Sequence, residues 1–178
     1  HTGSSAASDV YKRQSQYIVE SQDEWGGIPS EKDKILDPWD HIECCMALDV
    51  FGEKERSKQG FQWLVDHQGD DGSWYSEYQA NKSISSRKES NFSSYIAIGA
   101  LHNYESYGDL KFLENLLPTL EKSLQFTLSA QTDFGEFSWA NIKTLSDSRI
   151  LFKVFSSKLL QFFTKNIFLF SNKPISST

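Results

Sequence analysis

One stretch holds most of the residue types that could do chemistry. Asp37-Pro38-Trp39-Asp40-His41-Ile42-Glu43-Cys44-Cys45 packs three acids, a histidine and two thiols into about two helical turns. A carboxylate beside an apolar pocket acquires a raised pKa suited to acid catalysis. Asp40, His41 and Glu43 are therefore the candidate catalytic residues, and Trp39, Trp74, Tyr75 and Tyr95 the candidate substrate contacts. A capping role competes for the first acids. Asp37 reads as an N-cap, Pro38 as the first helical residue, and Asp40 falls three after the cap. Cys44 and Cys45 read as small core residues.

Two kinds of helix must position these groups. From Trp39 to Phe51 apolar residues crowd almost all round, which predicts a buried helix closed by Gly52. A second such helix runs from about Asn91 to Tyr107 and aligns with the first, Trp39 on Phe92 and Ala47-Leu48 on Ala100-Leu101. Its Ser93, Ser94 and Tyr95 would border the same cavity mouth as Asp40, His41 and Glu43. Glu53 to His67 is charged in its first half and apolar only at Phe61, Leu64 and Val65, so it should lie outside. Asp109 to Asn115 and Pro118 to Ala130 read as the next outer segment, with Pro118 at a helix start or a kink. Ser15 to Gln22 reads as the end of an earlier helix, and Tyr75 to Glu89 as an exposed polar loop.

A turn closes each outer segment and leads towards the next inner helix. Gly60 to Trp74 reads GFQWLVDHQGDDGSW, and weaker copies run from Tyr17 to Ile28 and from Phe126 to Phe137. Setting Gln22, Gln68 and Gln131 in register also aligns Gly26, Gly72 and Gly135, then Ile28, Trp74 and Phe137. The pattern is an all-α array of α/α-hairpin repeats. A glutamine at a helix end can satisfy orphan backbone groups, so these residues read as structural staples. Asp70-Asp71 lies inside the turn and reads as a pair of turn acceptors.

Composition bounds the partners. The formal charge is -6, but residues 15–140 carry 22 acids against 10 bases, while 141–178 carry one acid and six bases. An acidic body disfavours nucleic acid, which needs clustered Lys and Arg. Two adjacent cysteines make no disulfide framework, so a reducing, cytoplasmic setting is expected. No apolar run approaches membrane-spanning length.

Both ends differ from the body. Ser4 to Gln14, SSAASDVYKRQ, is the translation of a widely used transposase sequencing adapter, so residues 1–14 are set aside from the fold and Ser15 is expected to be internal to a longer protein. Residues 141–178 lack Ala, Gly and Glu. They read as an out-of-frame translation of AT-rich DNA, or else as a basic amphipathic helix lying on a membrane.

The turn resembles the QW motif, met here by Lys58, Gly60, Trp63-Leu64, Gln68, Gly72 and Trp74. That motif belongs to squalene and oxidosqualene cyclases and, more weakly, to protein prenyltransferase β subunits. The resemblance implies a partial (α/α)6 toroid over 15–140 and an isoprenoid or other apolar small molecule as ligand. The cyclases' DxDD acid motif does not occur. The Asp37 to Cys45 stretch looks like the zinc-histidine segment of the prenyltransferases, but Asp40 holds the histidine's place and His41 follows one later. No metal or cofactor is expected. Two other readings stand beside this one. A sugar-active toroid enzyme would use paired carboxylates and the aromatics Trp39, Trp74, Tyr75 and Tyr78 near Glu77. A non-catalytic repeat scaffold would need no such groups.

Overall fold

A computed structural model describes residues 3–31 and 34–138. The readings of 141–178 lie outside the described residues. Five helices carry the described residues: α1 (Gly3–Ser21), α2 (Pro38–Phe51), α3 (Lys54–His67), α4 (Ser90–Tyr107) and α5 (Leu110–Ser129). Two short strands, β1 (Tyr78–Gln79) and β2 (Lys82–Ser83), lie between α3 and α4. Helix α1 continues through residues 3–14, which the adapter match set aside.

The inner and outer roles follow the apolar pattern. Helix α2 packs on α1, α3 and α4, and α4 packs on α5. The shared core is built from Ile42 and Leu48 of α2, Phe61 and Leu64 of α3, Ile96 of α4 and Leu120 of α5, all at most 1% exposed. Asp37 caps α2 by accepting from the N–H groups of Trp39 and Asp40. Gly52 ends α2 in the left-handed conformation at φ 81°. The architecture is a partial α/α toroid of stacked hairpins.

The structure departs from expectation in two elements. Helix α5 is continuous across Pro118, which costs the ladder one N–H without ending the helix. The stretch from Tyr75 to Glu89 is more ordered than a plain loop. Tyr78 pairs with Ser83 and Gln79 with Lys82, and the two turn residues Ala80 and Asn81 have positive φ, as tight hairpins require. Leu36 pairs with Tyr78, tying the hairpin to the entrance of α2.

The three turns are the same object. In each, the Gln Nε2 donates to the glycine carbonyl four residues on, at 3.1, 3.0 and 3.2 Å for Gln22, Gln68 and Gln131. The glycines sit at φ 93°, 86° and 81°. Gln22 also donates to the Arg56 carbonyl in α3, and Gln68 to the Thr119 carbonyl in α5, both at 2.9 Å. A Cβ on Gly26 or Gly72 would overlap the carbonyl of Gln59 or Lys122, so only glycine lets the neighbouring helix come this close. Ile28, Trp74 and Phe137 fold back into the core.

Candidate active site

Acidic and aromatic groups converge where α2 and α4 begin. Asp37 is half-buried, and its carboxyl is pushed up to about 6. Burial is the main cause, and the charges of Asp40 and Glu89 push the same way, against the hydrogen bonds from the Asp40 and Trp39 N–H groups. Asp40 is exposed one turn into α2. Glu89 precedes α4, is 5% exposed, and pairs with Arg87 at 2.9 Å.

An aromatic shelf stands beside them. Trp39 and Tyr95 stack with ring centroids 3.9 Å apart and planes 4° from parallel. Glu43 braces both, its Oε1 accepting from Trp39 Nε1 at 2.8 Å and from the Tyr95 hydroxyl at 3.2 Å. Burial, followed by the Glu43 charge, raises the Tyr95 phenol, so it stays protonated as a donor. Such a flat, partly exposed pair can receive the apolar face of a ring-shaped ligand while nearby carboxyls exchange protons with it.

Several expected site residues are placed elsewhere. His41 is fully buried in the core. Its Nδ1 accepts from the Ile28 N–H at 3.1 Å and its Nε2 donates to the Gly60 carbonyl at 2.9 Å. Desolvation depresses it to about 4, so at neutral pH it is an uncharged spacer between the first turn and α3. With both nitrogens engaged, it is not free for a metal or a substrate. Trp74 is 1% exposed and donates to the Leu64 carbonyl. It is a staple with no surface to offer a ligand. Tyr75 is 37% exposed on the segment leading to α4, with Lys88 5.0 Å above its ring. Glu77 is exposed, and Tyr78 is buried. The hydroxyls of Ser93 and Ser94 are spent on helix carbonyls.

The remaining acids and thiols have structural surroundings. Burial pushes Asp71 up, but the hydrogen bonds from Lys88 and Ser73 outweigh it and hold the carboxyl below its usual value. Burial pushes Cys44 up to about 11 and also raises Cys45 well above its usual value, which keeps both as inert thiols. Among the described residues, no group of three or more His, Cys, Asp or Glu is placed to hold a metal ion. No helix there is long and apolar enough to cross a membrane.

From sequence, Asp37 reads only as a cap and Glu89 only as loop. A signal for Glu89 is nonetheless present. The alignment that sets Trp39 on Phe92 puts Asp37 one residue from Glu89, so both inner helices open on an acid.

No known protein-family profile matches the chain. It is similar to MMP endo-(1,4)-3-O-methyl-alpha-D-mannosidase of Mycolicibacterium hassiacum, 33% identical over 129 residues. That alignment takes in 72% of this chain and 36% of the mannosidase, so the chain spans about a third of that relative. Among solved structures it resembles endoglucanase Cel10, a family 8 glycosyl hydrolase from Klebsiella pneumoniae. The TM-score is 0.53 at 12% identity, over 68% of this chain and 39% of that one, a likeness of fold. These findings correct the prenyltransferase and squalene-cyclase resemblance, and with it the QW label and the isoprenoid ligand. The physical reason lies in the turn itself. Its Gln, Gly and aromatic pin one outer helix to the next through main-chain carbonyls, a role that calls for no ligand.

Proposed function

We propose that residues 15–140 are part of an α/α-toroid glycoside hydrolase that cleaves within chains of α-1,4-linked mannosyl units, 3-O-methylated ones included. The sugar class is suggested by the similarity to the mycobacterial endo-mannosidase over most of this chain. The observation that carries the site is Asp37, a half-buried carboxyl lifted to about 6 at the mouth of an inner helix. Glycoside hydrolysis needs one carboxyl that holds a proton for the leaving oxygen and a second that stays ionised. In this reading Asp37 is the proton donor and exposed Asp40 the second carboxylate, with the Glu89 charge helping Asp37 to hold its proton. The Trp39–Tyr95 stack, braced by Glu43, carries a sugar ring. His41 and Trp74 hold the scaffold and take no part in the chemistry.

The test uses the full-length gene product and 1,4-linked manno-oligosaccharides with and without 3-O-methyl groups. New reducing ends and products of intermediate length are expected. A folded protein that releases no reducing ends from either set would sink the proposal, and cleavage of α-1,4-glucans instead would refute the sugar.

A further inference from the structure

The three Gln-x-x-x-Gly turns are built alike but are not used alike. In the first two, the glutamine amide reaches a main-chain carbonyl of the next outer helix, and a second carbonyl three residues on fills the space above the glycine. The register is constant. Arg56 and Gln59 lie 12 and 9 residues before Gln68, and Thr119 and Lys122 lie 12 and 9 before Gln131. The third turn repeats the fold internally: Gly135 N–H donates to Thr132 O at 2.9 Å, Thr132 N–H to Glu136 O at 2.7 Å, and Phe137 is 7% exposed. Yet among the described residues Gln131 reaches no second carbonyl, and a Cβ on Gly135 would meet only the Gln131 amide, at 3.8 Å. Phe134 beside it is 91% exposed, against 53% for Trp25 at the same place in the first turn.

The geometry points to the 131–137 turn as the docking face for a further outer helix of the same polypeptide, drawn from outside residues 3–138. That helix is received through two main-chain carbonyls three residues apart, as α3 and α5 are. Two precedents within this chain set the occupant, and the greater length of the mannosidase relative gives room for it. A second copy is disfavoured because its α3 and α5 already hold turns, leaving α1 alone to offer among the described outer helices. The inference rests on the fold and is independent of the glycosidase reading.

Glycine substitutions in the full-length gene product test it. Gly52→Ala and Gly108→Ala report the left-handed backbone alone, because nothing lies within 4 Å of a Cβ at either position. Gly72→Ala adds collision with Lys122. Gly135→Ala is expected to lower the Tm about as much as Gly72→Ala, and by at least about twice the Gly52→Ala shift. A Gly135→Ala shift equal to that of Gly52→Ala overturns the inference. Should the colliding variants not fold, hydrogen exchange of the unmodified protein decides. Protection of the Thr132 to Ser138 amides that is independent of concentration supports the same-chain helix. Fast exchange overturns it, and so does protection that arises only on dimerisation, which assigns the face to a second copy.

Discussion

The buried imidazole of His41 makes a quantitative claim about pH. Its value falls from 6.5 in the unfolded chain to about 4 in the fold, because the charged ring would lose its solvent and clash with the N–H of Ile28. The folded state then binds fewer protons than the unfolded state throughout that window. Stability from this group is complete above 6.5 and is lost as pH falls towards 4. The perturbation is His41→Gln, which retains a donor and an acceptor but does not titrate. Between pH 7.5 and 4.5 the stability advantage of the natural protein over the variant should shrink by about 2.5 kcal/mol. Asp37 works in the opposite sense. Its raised value gives stability at low pH that is lost as pH climbs from 3.8 to about 6. In the natural protein alone the two groups would largely offset one another. Asp37 is common to both proteins and cancels in the difference, so the comparison isolates the histidine. Urea unfolding followed by tryptophan fluorescence at the two pH values measures it. An advantage that is the same at both would refute the reasoning, since the ring would then protonate as readily folded as unfolded.

If Asp37 is the proposed proton donor, Asp37→Asn should lower kcat by about 10²- to 10⁴-fold and remove the fall in activity expected of the natural protein above pH about 6. Below pH about 5, where Asp37 is protonated, its Tm should move little, because asparagine caps a helix as well as aspartate does, and at higher pH the variant should be the more stable. Trp39→Ala removes the stack with Tyr95 and should raise KM about tenfold in steady-state kinetics, with a smaller effect on kcat. Asp49→Ala addresses the other end of α2. There Asp49 is 5% exposed, accepts from Asn103 Nδ2 at 2.8 Å and lies 3.2 Å from His102 Nδ1. Removing the acceptor of one buried Asn103 N–H, with only the 3.2 Å bond to Ser57 Oγ remaining, should cost about 2 kcal/mol in denaturant unfolding, leaving activity per folded molecule unchanged.

The fold was legible because its rules are local. The register of Gln22, Gln68 and Gln131 with their glycines marks a real and repeated hydrogen-bonded turn. The crowding of apolar residues from Trp39 to Phe51 marks an inner helix, and Asp37-Pro38 and Gly52 mark its ends. Chemistry was less legible for two reasons. A helix rotates 100° per residue, so adjacent Asp40 and His41 face solvent and core, and composition alone cannot say which is which. The turn that suggested a family is a device for joining helices, serving any toroid whatever its substrate. The β1–β2 hairpin was missed because Ala80 and Asn81 are a weak turn pair, fixed in part by the bond from Trp63 Nε1 to Asn81 Oδ1, at 2.7 Å and 18 residues away in sequence.

The docking register carries a consequence for how such a chain can change. Successive glutamines are 46 and 63 residues apart, yet the stretch from docked carbonyl to next glutamine is 12 residues in both repeats. All of the length difference falls elsewhere, including the link from turn to inner helix, which in the second repeat holds the hairpin. The perimeter is metrically locked, because one added residue between Arg56 and Gln68 would swing the next turn about 100° off its helix. The links beside Asp37 and Glu89 are free to lengthen. A chain of this design can lengthen or replace the loops beside its acidic helix ends while every joint between its outer helices stays in place.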